Sequence, residues 1–137
     1  MLTAFFCDLG LSARVCHWSE DETFLLIYGN WKLAEEMRLS CSAAFFTSKQ
    51  QRWEFVARFL GNLKVHKTWQ QCANRWNRLW KPFKIIHAYE SNALAKNVSY
   101  WKLSPSERVD NRLPHNFSIK FYEVLKKNFF TDKTADT

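Results

Sequence analysis

Glycine and proline are scarce, with three of each among 137 residues. A multi-stranded sandwich or barrel needs a tight turn about every ten residues, built largely from those two types, so that class is set aside. Long apolar runs are missing as well. The longest, Phe24 to Tyr28, falls far short of the roughly 20 residues a membrane-spanning helix requires, and the chain is read as soluble. The apolar stretch Leu2 to Cys7 has no basic residue before it and runs straight into Asp8, which makes it a poor secretion signal. The four cysteines, at 7, 16, 41 and 72, form neither a Cys-x-x-Cys knuckle nor a paired zinc spacing. They are expected to be reduced thiols, with Cys72 a small core residue. There is no phosphate-cradling glycine loop, and the four histidines, at 17, 66, 87 and 115, have no helical partner spacing to each other or to a carboxylate. No enzyme, cofactor, metal site or small-molecule substrate is expected. The acidic run Glu20 to Glu22 is read as a helix start and not as the metal cluster of a nuclease.

What is present suits one helical domain with short extensions: 47% hydrophobic residues, enough for a core, and 17% aromatics. The net charge of +7 is unevenly spread. Residues 1–48 hold three basic and six acidic residues, residues 49–87 hold nine basic residues against Glu54 alone, and the last 50 hold eight and six. The basic character is therefore one block, the footprint of a surface that meets a polyanion. A merely solvating face is the plain alternative.

Ser19 with Glu22 forms a capping-box signature, so a first helix is expected from Glu20 to Arg38, its inward face carrying Phe24, Ile27, Trp31 and Met37, broadened by Leu25 and Leu26. Leu39 to Ser48 reads as a loop over an apolar patch, Phe45 and Phe46. A second helix is expected over Lys49 to Leu63, with Trp53, Val56, Ala57 and Leu60 inward and Gly61 and Asn62 at its end. The third, capped by Thr68, has Trp69, Cys72, Trp76, Leu79, Phe83 and Ile86 at alternating spacings of three and four. Pro82 should kink or restart it near Lys81.

The other side of that third helix offers Gln70, Gln71, Asn74, Arg75, Asn77, Arg78, Lys81 and Lys84, and no carboxylate occurs between Glu54 and Glu90. Asn and Gln amides pair with adenine edges, Arg with guanine and Lys with phosphate, so this composition fits a helix laid in a major groove.

The tryptophan of Trp18-Ser19-Glu20-Asp21-Glu22, followed by Leu25-Leu26-Ile27, then Trp53 and the run Gln71-Cys72-Ala73-Asn74-Arg75-Trp76-Asn77-Arg78-Leu79, resemble the plant trihelix transcription factors. Phe83-Lys84-Ile85-Ile86 is similar to the segment that closes their core, and Ser99-Tyr100-Trp101, Leu113-Pro114, Phe117 and Tyr122 to the downstream extension of a short-chain branch. The resemblance implies an all-α, three-helix Myb/SANT-like bundle with an elongated third helix and a C-terminal helical extension, with Trp18, Trp53 and Trp76 as its core aromatic triad. It implies a nuclear, sequence-specific binder of double-stranded DNA, with Lys49, Arg52, Lys64 and Lys67 on phosphates beside the helix face above. The competing reading is a SANT-like module that binds a partner protein or a histone tail, but such modules tend to carry acids on the third helix.

The expected organisation is an N-terminal extension over 1–16, the DNA-binding domain over 17–90, a helical extension over 91–130 and a disordered tail over 131–137. Within the extension, Ser104-Pro105-Ser106-Glu107 starts a short helix to about Arg112, ended by Pro114. A last amphipathic helix from Phe117 places Phe117, Phe121, Val124, Leu125 and Asn128 on one side. It is expected to pack on the helical core, with a homodimer or co-regulator contact as the alternative. Asp8-Leu9-Gly10-Leu11 only faintly resembles a leucine-x-leucine repression motif.

Overall fold

The computed structural model describes residues 17–39, 48–92 and 98–131. The expectations for the N-terminal extension, the loop with Phe45 and Phe46, Cys7, Cys16, Cys41 and the tail from 132 onward lie outside the described residues. The described elements are α1 (Glu20–Leu39), α2 (Lys49–Asn62), α3 (Trp69–Ser91), a 3-10 turn (Tyr100–Lys102), α4 (Pro105–Asp110), α5 (Ile119–Lys126) and a π turn (Lys127–Thr131), with no strand among them. The fold class is the expected all-α one. No described helix is long and apolar enough to cross a membrane.

Local chemistry sets the helix starts. The Ser19 hydroxyl accepts from the Glu22 amide at 3.0 Å while the Glu22 carboxylate accepts from the Ser19 amide at 3.1 Å. Ser48 with Gln51, Thr68 with Gln71 and Ser104 with Glu107 repeat the same reciprocal box. Each box satisfies two of the donors that a helix start leaves open. The ends of α2 and α4 are closed alike: Lys64 (φ 70°) and Arg112 (φ 59°) adopt the left-handed conformation, and the Val65 and Leu113 amides donate back to the Leu60 and Arg108 carbonyls at 2.9 and 2.8 Å.

The chain forms two compact units, Met1–Trp76 and Asn77–Thr137, divided within α3. In the first, Leu26, Ile27, Leu33, Val56, Leu60, Val65, Cys72 and Ala73 are buried. The α1 stripe is turned from its expected register: Thr23, Leu26, Ile27, Gly29 and Leu33 are buried, whereas Phe24, Leu25, Trp31 and Met37 are half-buried. The cause is a close approach at Gly29, where a Cβ would stand 3.2 Å from the Phe59 ring and 3.3 Å from Val56. A helix turns its smallest residue to its neighbour where the backbones are nearest, and Trp31 falls to the margin, stacked on Tyr28 at 5.6 Å.

In the second unit Leu79, Phe83, Ile86, Tyr100, Tyr122 and Leu125 are buried. α3 does not restart at Pro82 but continues to Ser91, so of the two expected outcomes, a kink or a restart, the restart does not occur. An interior proline costs about 3 kcal/mol, while full burial of a side chain such as Leu79, Phe83 or Ile86 is worth roughly 1.5–3 kcal/mol each, so packing outweighs the lost hydrogen bond. Trp80, without an assigned role in the sequence, lies 5.3 Å from Phe83, 5.6 Å from Phe129 and 6.0 Å from Phe130. In α5, Tyr122 and Leu125 are the buried residues, Tyr122 with its ring against Phe83 of α3, while Phe121 and Val124 are only half-buried and Phe117 lies ahead of the helix. Tyr122 sets that register, its ring 5.3 Å from both Phe83 and Trp101.

Candidate nucleic-acid interface

One turn of α-helix takes 3.6 residues, so Gln70, Asn74, Asn77, Arg78, Lys81 and Lys84 fall within an arc of about 120° on α3. The apolar series Cys72, Trp76, Leu79, Phe83 and Ile86 occupies the opposite side. All six polar side chains are exposed, and none makes a hydrogen bond, ion pair or ring contact with another described residue. Gln70 and Asn74 belong to the first unit, and Asn77, Arg78, Lys81 and Lys84 to the second.

Three other residues expected to contact DNA, Gln71 and Arg75 on that face and Lys67 beside it, are held by the first unit itself. Gln71 closes the Thr68 capping box, its side-chain oxygen accepting from the Thr68 amide at 2.8 Å. The Arg75 guanidinium donates to the Thr23 hydroxyl from Nη2 at 3.2 Å and Nε at 3.4 Å. Lys67, with a side chain only 11% exposed, donates to the His17 carbonyl at 2.8 Å, stands 3.8 Å from the Glu22 carboxylate and lies 4.9 Å above the Trp18 ring. Lys49 and Lys64 are exposed and Arg52 is half-buried. Thr23, fully buried, is a residue that sequence reading passed over. Its only signal is a hydroxyl at an inward position, four residues after a helix cap.

The three tryptophans are each half-buried. Trp53 and Trp76 lie 6.4 Å apart with tilted rings, and Trp18 carries the Lys67 ammonium on its face. Cys72 is a free, fully buried thiol, as expected, and burial pushes its pKa up to about 12, so it is not a nucleophile at neutral pH. Among the described residues no three His, Cys, Asp or Glu side chains come together so as to hold a metal ion.

In the second unit, the Glu90 carboxylate accepts from the Tyr100 amide at 2.6 Å and from the Ser99 hydroxyl at 3.1 Å, fixing the extension to the end of α3. The buried Tyr100 hydroxyl donates to the Pro114 carbonyl, and Arg108 covers the Tyr100 ring at 4.1 Å. Burial raises the Tyr100 and Tyr122 pKa values, the carboxylate of Glu90 adding to the second. A shallow cavity lies between His87, Glu90, Trp101, Ile119, Tyr122 and Glu123.

The model of the Myb/SANT-like DNA-binding domain family matches residues 15–127. The Arabidopsis thaliana protein described as trihelix transcription factor ASR3 is 26% identical over 117 residues, which are 83% of this chain and 37% of that protein. The chain thus spans well under half of the relative's length. No solved structure matches.

Proposed function

From its membership of the Myb/SANT-like DNA-binding domain family, we propose that this chain is the sequence-specific DNA-binding part of a nuclear transcription regulator, with α3 in the major groove. One observation carries the reading: six exposed amide and cationic side chains share a side of α3, unpaired with any described residue, in a stretch without a carboxylate. Gln70, Asn74 and Asn77 supply bidentate amides for adenine edges and Arg78 a fork for guanine. Lys81 and Lys84 reach phosphates, as do Lys49, Arg52 and Lys64. The relative's description as a transcription factor supports the regulatory role.

Selection from random duplexes at two salt concentrations, followed by binding of the selected site, tests this. Asn74→Ala and Arg78→Ala should relax preference at one position each, by about 1–3 kcal/mol, whereas Lys81→Ala should weaken all sequences alike and lower the salt slope by about 0.9. Failure to enrich any duplex, or unchanged preference in both α3 variants, overturns the reading.

A further inference from the structure

Lys67 and Arg75 carry charges that a DNA-binding helix could spend on phosphate, yet both are directed at one short stretch of the same unit. Lys67 meets the His17 carbonyl, the Glu22 carboxylate and the Trp18 ring, and Arg75 meets Thr23. Thr23 is itself fixed, since its hydroxyl donates to the Ser19 carbonyl at 2.8 Å. We propose that these two cations are positioning residues: a two-point latch that sets the roll and axial register of the first two turns of α3 against the capped start of α1, and so aims Gln70 and Asn74. The inference rests on the DNA-binding reading above.

Geometry favours two anchors over one. Lys67 immediately precedes the Thr68 cap and Arg75 lies two turns further on, about 10 Å along the axis. A single tether leaves the helix free to rotate about it; two separated tethers, with the Cys72 side buried between them, do not. Energetics keep Lys67 in place. A lysine ammonium that withdraws from water must be paired, and this one has a carbonyl, a carboxylate and an aromatic face. Reaching a phosphate would mean giving up all three.

Lys67→Met and Thr23→Val separate this from the alternatives. At a temperature where circular dichroism shows each variant fully folded, affinity for the selected duplex should fall roughly tenfold, while the slope of log Kd against log salt stays at the wild-type value. Lys67→Arg, which keeps a cation on the Trp18 face, should restore affinity. A slope reduced by about 0.9 in Lys67→Met makes Lys67 a phosphate contact and overturns the proposal. Unchanged affinity with a lowered Tm makes the cluster structural only and overturns it equally. Hydrogen exchange without DNA decides the latch even if no duplex is bound. The Cys72, Ala73 and Asn74 amides should exchange faster in both variants while those of α2 do not, and unaltered exchange in α3 rules the latch out.

Discussion

Among single residues, Lys64 shows most clearly where stability and binding oppose each other. It ends α2 in a left-handed conformation (φ 70°), the position at which glycine is usual because a Cβ there is crowded. The conformation costs a non-glycine residue about 1–2 kcal/mol. Lys64→Gly should therefore raise the Tm, by an amount measurable in a thermal melt. If the exposed ammonium meets phosphate, the same change should weaken duplex binding and flatten its salt dependence by about 0.9. A variant that is more stable and binds undiminished would remove Lys64 from the contact set.

Among the helices, proline inside α3 offers the sharpest test. Pro82 deprives the Arg78 carbonyl of its helical donor, and the helix persists because Leu79, Phe83 and Ile86 are buried on either side of it. Pro82→Ala restores the donor without disturbing those side chains, and the expected outcome is a stabilisation of about 1–3 kcal/mol in a denaturant titration, with an unchanged m value. An equal or lower stability would mean that the proline stiffens the unfolded chain by as much as it weakens the helix. This helix also shows how far sequence alone reaches. The Ser19, Thr68 and Ser104 caps were legible, because a cap and its partner are three residues apart and need no tertiary information. The polar side of α3 was legible too, since a 3.6-residue period separates faces. The continuation through Pro82 was not, because it depends on packing with Tyr122 and Phe130, about 40 residues away. Nor was the diversion of Lys67 and Arg75 from solvent: their partners lie 50 and 52 residues back, and periodicity gives a side chain's face but not its partner.

For the molecule as a whole, basic charge is concentrated in residues 49–87, so salt is expected to govern its binding. Proton concentration is expected to govern its folding through a different group. His87 lies against the rings of Phe83 at 5.5 Å and Phe130 at 4.5 Å, with Nδ1 3.4 Å from the Tyr122 hydroxyl. Burial, reinforced by the Lys126 ammonium, lowers its pKa below the ordinary 6.5. The folded chain thus holds this imidazole neutral more firmly than the unfolded chain does. Above pH 6.5 both states leave it unprotonated and the group contributes no slope. As pH falls through 6.5 the unfolded chain takes up a proton that the folded chain resists, and stability declines until the folded pKa is passed. The Tm should therefore drop between pH 7 and pH 5.5. His87→Gln, although less stable at pH 7 through lost ring packing, should show a flatter profile over that interval. Parallel profiles for the two proteins would remove His87 as the source of the acid sensitivity.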